Sequence, residues 1–513
     1  VSIDINIAED GACLLGETPL HPAQGALRAA MADLAGLLAK AGPDDTLVLA
    51  GCGLGWHAKA AALRPNGPRL VLFEPDARRL AMARSLGPDL TGLEIVRDAN
   101  QLTEYLSRVL VYDEKTAKNG RVAVYSPEAY RRNEPLLPAK TKEIVDQVMS
   151  RGRVDWHTRQ AKDEQWLANI QANFKHLLKA PDLTRLAHRF RGAPALVLGA
   201  GPSLDRSLAA LGGASGKALL LGAASAIGPL AAKGMALHLA VALEAKDESR
   251  QFAAVDPART WLAAATSGHA RHFELWRGKC ALFHLQPWVA KLSGGGWALP
   301  NGGHASSAAF SLAVLWGCDP IILVGQDLAY SGGRIHAHGR PGGEEEKRPA
   351  TVEVPGIHGD QVQTSPVFMS YISWYRETAA YLAKRGKGPR IINATAEGAY
   401  LPGFEHMLLD EALDLLPEGA ALESLWHNCL DSIAMPPASL LVQNLMAAKT
   451  QIRQCLAGLE RGGLAQAREL AGTETAAAAA LQYLPPSADP AEAAEKLEQM
   501  SNRLRAMAEE LYA

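Results

Sequence analysis

Between residues 45 and 125, short apolar runs alternate with amphipathic stretches. Thr46-Leu47-Val48-Leu49-Ala50 and Arg69-Leu70-Val71-Leu72-Phe73 are nearly unbroken apolar segments, the pattern of parallel strands covered on both faces. The spacing predicts a helix beginning near Trp56 between them, and further strands at Leu93–Val96 and Val122–Tyr125. A polar, Arg-rich helical stretch follows from about 138 to 190. In it Trp166, Leu167, Ile170, Phe174, Leu177 and Leu178 recur at the spacing of an amphipathic helix. A second alternating run starts at Ala195 and continues to about Ala399. Its predicted strands are Ala195–Leu198, Ala218–Leu221, Leu237–Leu243, Trp261–Ala264, Ala281–Leu285, Ile321–Val324 and Arg390–Ile392. So many strands in one alternation predict a single doubly wound parallel sheet.

Two regions differ in texture. Ser331 to Pro366 is rich in Gly, Pro and charge, with Glu344-Glu345-Glu346-Lys347-Arg348 at its centre, and reads as a long functional connection with little internal structure. From about Asp410 the strand pattern stops. Leu441, Leu445, Ala448, Ile452, Cys455 and Leu459 form one apolar stripe, and Leu497, Met500, Leu504 and Leu511 another. Pro485-Pro486 lies between the stripes, and the Ala-rich Thr475–Ala480 reads as helix. This predicts an antiparallel helical domain. The expected division is a Rossmann-like α/β domain over 1–135, a central doubly wound α/β domain over 136–409 with a helical lead-in at 136–190, and a helical domain over 410–513.

Composition narrows the class. At roughly 150 residues per domain, 513 residues fit three domains, and 48% hydrophobic with 21% charged residues is ordinary for a globular protein. Lys+Arg 52 against Asp+Glu 54 leaves a formal charge of −2, too near neutral to draw the chain to nucleic acid or an anionic membrane. No apolar run reaches the roughly 20 residues of a membrane span. Val1-Ser2-Ile3-Asp4 opens without a basic stretch followed by an apolar one, so no secretion signal is expected. Cys13, Cys52, Cys280, Cys318, Cys429 and Cys455 are scattered, with no C-x-x-C pair. They read as reduced thiols in a cytoplasmic protein, and no metal site is expected from them.

Two glycine turns stand out. Gly51-Cys52-Gly53-Leu54-Gly55-Trp56 follows a strand, and Glu74 ends the next. The arrangement brings bare backbone to a nucleotide and a carboxylate to its ribose. It resembles the glycine motif of S-adenosylmethionine-dependent methyltransferases, while Trp56 at the third dinucleotide position argues against NAD. The favoured reading is a tight strand-to-helix turn in a domain that binds no nucleotide. The second turn is Gly199-Ala200-Gly201-Pro202-Ser203-Leu204-Asp205. Pro at the first helical position loses no needed donor, and a helix start with a Ser hydroxyl favours a phosphate. A Walker A pattern is absent, because Gly216-Lys217 is followed by Ala218.

Other polar groups are expected at the same edge. Gly302-Gly303-His304-Ala305-Ser306-Ser307 opens an apolar helix, and Gly325-Gln326-Asp327-Leu328-Ala329-Tyr330 follows a strand. Two helix starts and one strand end thus offer Ser203, Ser306, Asp327 and Tyr330 to a shared cleft, where open α/β sheets bind ligands. Helix capping by Ser306 and loop bonding by Asp327 are the structural alternatives. Glu244 and Asp247 follow another predicted strand, within reach of ribose hydroxyls or magnesium. Asn393, Thr395 and Glu397 follow the last one. His336, His338 and His358 supply candidates for a general base near neutral pH.

Phe190-x-Gly192-x-Pro194 through Gly199-Ala200-Gly201-Pro202-Ser203-Leu204, then Gly325–Tyr330 with His336, and Asn393-Ala394-Thr395-x-Glu397-Gly398-Ala399 are similar to the motility-associated-factor (Maf) family of flagellin glycosyltransferases. The resemblance covers nearly the whole chain. The central domain also resembles bacterial sialyltransferases, which use CMP-sugars and carry a Gly-Asn-Gly-Pro-Ser turn and a Gly-Ile-Asp-Phe-Tyr strand end. This chain has Ala200 in place of their first Asn, and Ala224-Ser225 near the position of a second.

The resemblance implies transfer of a nonulosonic acid of pseudaminic or legionaminic type from a CMP-activated donor to Ser or Thr of flagellin, supporting flagellar assembly and motility. It implies Asp327, Tyr330, His336 and His358 as catalytic candidates; His336 fits the Maf pattern and His358 the sialyltransferase one. Gly199, Gly201, Pro202, Ser203, Ser225, Glu244, His304, Ser306, Gln326, Asn393 and Thr395 would bind the donor. The expected partners are flagellin and the CMP-sugar, with no nucleic acid and no membrane span. Gly-x-Gly-Pro-Ser and Gly-x-Asp are shared with 6-hydroxymethylpterin diphosphokinase-like enzymes, which act on ATP and magnesium. That activity, and a non-catalytic flagellin-binding chaperone, are the alternatives.

Overall fold

A computed structural model of the chain describes residues 4–9, 12–43, 45–99, 101–103, 105–106, 121–214, 216–330, 333–339, 351–386, 388–417, 422–481, 484 and 488–511, and only the backbone of 150–161. Glu344–Arg348 and Pro485-Pro486 lie outside these residues. The chain divides into two compact units, Val1–Thr158 with Tyr483–Ser487, and Arg159–Gln482 with Ala488–Ala513. The helical tail falls in the same unit as the large sheet, so the boundary expected at 409 marks a change of texture within one unit.

The first unit holds two sheets. Strands β1 (Ile5–Ile7), β2 (Cys13–Leu15) and β3 (Thr18–His21) form an antiparallel sheet. Each is three or four residues long, and β3 contains Pro19, so no periodicity announced them. Strands β4 (Thr46–Ala50), β5 (Arg69–Phe73), β6 (Glu94–Val96) and β7 (Val122–Tyr125) form a parallel sheet in the order β6-β5-β4-β7. β4 is paired on both sides and wholly buried, which its five-residue apolar run requires.

The second unit is built on eight parallel strands: β8 (Ala195–Leu198), β9 (Leu219–Ala223), β10 (Leu239–Ala242), β11 (Trp261–Ala265), β12 (Cys280–Phe283), β13 (Ile321–Val324), β16 (Ile391–Asn393) and β17 (Glu405–His406). Between β13 and β16 the chain forms a hairpin, β14 (Val352–Pro355) and β15 (Gln361–Thr364). The hairpin occupies part of the stretch read as unstructured, and only Val354 and Thr364 on it are buried. The sheet order is β12-β11-β10-β9-β8-β13-β16-β17. From β8 the chain builds outward in one direction to β12, then returns to β8's other side with β13 and builds the opposite way. The order therefore reverses between β8 and β13, the place where open parallel sheets bind ligands beyond the strands' carboxyl ends.

Packing fixes that edge. The helix Ala305–Trp316 lies on the sheet face formed by Ala195, Val197, Leu219, Leu221, Ile321 and Leu323. Its last residue is five positions before β13, so it runs antiparallel to the strands and its first turn lies toward their carboxyl ends. Asn169 and Asn173, one turn apart on the helix Leu136–Asn173, donate to the carbonyls of Ala245 and Ser267 and of Thr266 and Gly268. They satisfy the loops after β10 and β11, which would otherwise bury unpaired carbonyls. In the tail, the two predicted stripes pack the helices Ala438–Ala471 and Pro490–Glu510 together, and Leu441, Ile452, Cys455, Leu497, Met500 and Leu504 are buried.

Candidate functional site

The first glycine turn is closed. A Cβ at Gly51 would stand 2.6 Å from the Tyr130 ring, one at Gly53 2.8 Å from Leu20, and one at Gly55 3.0 Å from Leu90. The Tyr130 hydroxyl donates to Glu74 Oε2 at 2.8 Å and accepts from the Gly53 amide at 3.1 Å. Glu74 also accepts from the Cys52 and Asp76 amides and is fully buried. Burial, reinforced by Glu74, pushes the Tyr130 phenol far above its ordinary range. The space beside the strand end thus holds the chain's own tyrosine, and the carboxylate expected on a ribose holds that tyrosine.

The second turn is also occupied, by the neighbouring strand. Gly199 N donates to Val324 O at 2.8 Å, Gly201 N to Gly325 O at 3.0 Å, and Leu204 N to Gly201 O. Ser203 N and Oγ donate to the two carboxylate oxygens of Asp327 at 2.9 and 2.6 Å. A Cβ on Gly199 would meet Gly325 O at 2.4 Å, and one on Gly201 would meet Asp327 Oδ1 at 2.2 Å. The glycines are therefore required for close approach of the ends of β8 and β13. This corrects the expectation of bare amides, with a Ser203 hydroxyl turned to a phosphate. Ser203 is 1% exposed, Pro202 is buried, and the helix that follows is only Leu204–Ser207. Asp327, 2% exposed, shapes the turn and does not present its carboxylate to the crevice.

What remains unpaired are side-chain amides. Gln326 follows β13; its backbone amide donates to Thr395 Oγ1 at 3.1 Å, while its Nε2 is buried without a partner. Asn393 ends β16; its Oδ1 accepts from Thr395 N at 3.1 Å, and its Nδ2 is likewise buried without a partner. A buried orphan donor costs about 1–3 kcal/mol, so these two, on the end of β13 at the switch point and of its neighbour β16, are the candidates for bonding a ligand acceptor. The next residue after Asp327, Leu328, has φ 49°. A bulky residue in the left-handed region costs roughly 1–3 kcal/mol, and the surroundings hold it there. Ala399 N donates to Asp327 O, Thr364 Oγ1 to Leu328 O and Tyr330 N to Gln363 O. Gly398 is needed beside it, since a Cβ there would lie 2.2 Å from Asp327 O.

Tyr330 and His336 are half-buried. The segment carrying His336 is tied to the glycine turn, because Ala337 N donates to Ala200 O at 2.9 Å. His358 is placed otherwise. It sits in the β14–β15 turn, exposed, with its Nε2 3.0 Å from Ala396 O, so hydrogen bonding to the backbone orients it. Glu397 pairs with Arg206 at 2.5 Å.

The remaining candidates line the same edge farther out. His304 caps the Ala305–Trp316 helix with extended backbone and no side-chain bond. Its ring packs 4.3 Å from that of Tyr371, and burial pushes its imidazole down to about 3. It is therefore neutral, and its Nε2 is buried without a partner. Ser307, not Ser306, bonds the cap, accepting from Gly302 N and donating to His304 O. Ser225 lies in the turn after β9, half-buried. Glu244 follows β10, and its carbonyl accepts from His269 N. Asp247 is engaged with Ser249 and Arg271, which hold its carboxyl down at about 2. Among the described residues, no group of three or more His, Cys, Asp or Glu forms a metal cluster.

Two contributors were missed by sequence reasoning. Asp205 accepts from Arg334 Nη1 at 2.9 Å, from His338 Nδ1 at 2.6 Å and from His338 N at 3.0 Å. The only signal was its place two residues after Ser203 in the motif. The aromatic row Tyr330, Phe368 and Tyr371, with ring centres 6.0 and 6.1 Å apart, leads from the β13 end to His304. Phe368 and Tyr371 are three apart on the helix Pro366–Lys384, a spacing that also describes plain core.

Comparison with known proteins adds three findings. A family model described as 6-hydroxymethylpterin diphosphokinase MptE-like matches residues 168–333, a stretch that includes both the Gly199–Ser203 turn and Gln326–Tyr330. Among curated proteins no sequence match was found. The solved structure of a Maf glycosyltransferase from Magnetospirillum magneticum AMB-1 superposes with a TM-score of 0.56 and 16% identity, covering 100% of this chain and 87% of that one. Over its whole length, the chain has the fold of that Maf glycosyltransferase.

Proposed function

We propose that the chain is a glycosyltransferase that moves a nonulosonic acid, of pseudaminic or legionaminic type, from a CMP-activated donor to Ser or Thr hydroxyls of flagellin in the cytoplasm. The observation that carries this reading is the pair of unpartnered amides, Gln326 Nε2 and Asn393 Nδ2, on the ends of β13 and its neighbour β16 beside the switch point, with half-buried Tyr330 and His336 following β13. Full-length likeness to a glycosyltransferase fold supports it. In the reaction, the bond between the anomeric carbon and the phosphate oxygen breaks, its electron pair leaving with CMP as a phosphate monoester. The acceptor hydroxyl oxygen bonds to the same carbon, and its proton passes to the imidazole of His336. The amides and the Tyr330 hydroxyl donate to the leaving group, where charge grows. Asp327 holds the β8 and β13 ends in register for this and takes no part in proton transfer.

The family match over 168–333 favours a second reading, diphosphoryl transfer from ATP to a pterin-like alcohol, with magnesium. Thermal shift separates the two. Stabilisation by CMP without magnesium supports sugar transfer; stabilisation by ATP only with magnesium supports the kinase. Flagellin binding with neither effect would leave a chaperone. Intact-mass measurement of co-expressed flagellin is the direct test: the wild type adds glycan, and His336→Gln reduces addition by roughly 10²-fold or more. Normal addition by that variant would remove His336 from the chemistry.

A further inference from the structure

The segment Arg334–His338 is fastened to the glycine turn by one carboxylate. Asp205 Oδ2 accepts from Arg334 Nη1 at 2.9 Å and from His338 Nδ1 at 2.6 Å, and Asp205 Oδ1 accepts from the His338 amide at 3.0 Å. One residue earlier, the Ala337 amide donates to Ala200 O, and Ala337 is buried. His336 lies between these fixed points. The fastening is unusual for a surface contact, because two of its bonds go to backbone amides and so define the path of the chain. An ion pair between long side chains alone would add little. A carboxylate accepting from a guanidinium, an imidazole and an amide is charge-assisted throughout. Burial acts to raise the Asp205 pKa, but Arg334 and His338 outweigh it and hold the carboxyl below its ordinary range. The groups facing Asp205 are thus Arg334 and His338; on its own turn, Arg206 is engaged with Glu397.

We infer that Asp205 is a positioning residue that buckles Arg334–His338 onto the glycine turn and thereby sets where His336 meets the acceptor hydroxyl. The consequence for His336 rests on the sugar-transfer reading above; the buckle itself does not. A base must stand within hydrogen-bond reach of the proton it takes, and an ångström of misplacement is enough to cost about a hundredfold in rate. Asp205 touches neither partner in that transfer.

The experiment compares wild type, Asp205→Asn and Asp205→Glu. Hydrogen exchange of peptides covering 333–339 reads the buckle, and transfer from a CMP-nonulosonic acid to purified flagellin reads the consequence. Asp205→Asn is expected to speed exchange at 337 and 338 by roughly tenfold, to lower kcat by roughly ten- to a hundredfold, and to leave KM for the donor within about twofold. Asp205→Glu, which keeps the charge and the acceptors, is expected to recover part of both. Unchanged exchange in Asp205→Asn overturns the buckle. Faster exchange with unchanged kcat overturns the positioning role, and so does a loss confined to donor KM. If the wild type transfers no sugar at all, the sugar-transfer reading fails, and the exchange result alone decides the buckle. A thermal unfolding curve for each variant guards against misfolding, with equal midpoints expected within a few degrees.

Discussion

Both units contain a buried strand running into a glycine turn, and the two turns end differently. In the first unit, Gly51–Gly55 closes over Tyr130, and Glu74 with the Tyr130 hydroxyl takes up the Cys52, Gly53 and Asp76 amides. In the second, Gly199–Ser203 is equally packed at the backbone, yet the strands beside it leave Gln326 Nε2 and Asn393 Nδ2 unmatched. A glycine motif therefore identifies a tight strand end and nothing more. Two unmatched amides on the strands beside it are what make the second turn the candidate ligand site.

The largest effect is expected from adding a methyl group to either turn. Gly201→Ala would force its Cβ against Asp327, and Gly51→Ala against the Tyr130 ring at φ 93°. Each should lower stability by roughly 3 kcal/mol, measured by urea unfolding. Equal tolerance of both would refute the close-packing account. Acid comes next and acts on both units. Burial holds His21 of the first unit down at about 3 and His272 of the second at about 4, with nearby histidines adding to the shift. Folding is therefore favoured fully above the unfolded value near 6.5 and loses stability as pH falls from there toward those folded values. Between pH 7 and 5 each contributes a loss of about 2 kcal/mol. His21→Gln or His272→Gln should flatten the pH dependence of unfolding by that amount, and an unchanged slope would count against it.

Smaller effects sharpen the contrast. Gln326→Ala and Asn393→Ala should each weaken CMP binding by about tenfold; melting should change little for Gln326→Ala, whereas Asn393→Ala also removes the acceptor of Thr395 N and should cost about 1 kcal/mol. A drop in stability without a change in affinity would turn them into structural residues. Tyr130→Phe should remove the hydroxyl from Glu74 at a cost of about 1 kcal/mol and leave CMP binding untouched; calorimetric titration checks the second point.

Much of the fold was legible because the buried strands announce themselves. Ala195–Leu198 and Ile321–Val324 are apolar at every position, as strands covered on both faces must be. The strands that went unseen, β1 to β3 and the β14–β15 hairpin, have at most two buried positions each, too few to make a period. For the site, sequence reasoning identified which residues sit at the strand ends but misassigned what two of them do. Ser203 and Asp327 bond each other across 124 positions, and no local pattern shows whether a hydroxyl points at a neighbour or at solvent. Asp205 escaped notice for the same reason, its partners lying about 130 residues away.

That separation also bears on how the protein is made. While the ribosome is still synthesising the stretch after Ser203, the edge of Ala195–Leu198 that later receives Ile321–Val324 has nothing to pair with. A nascent chain halted anywhere before 321 carries an open apolar strand edge, the kind of surface that draws intermolecular pairing. Premature stop codons in this interval should therefore yield aggregates that chaperones must clear, not shortened folded products.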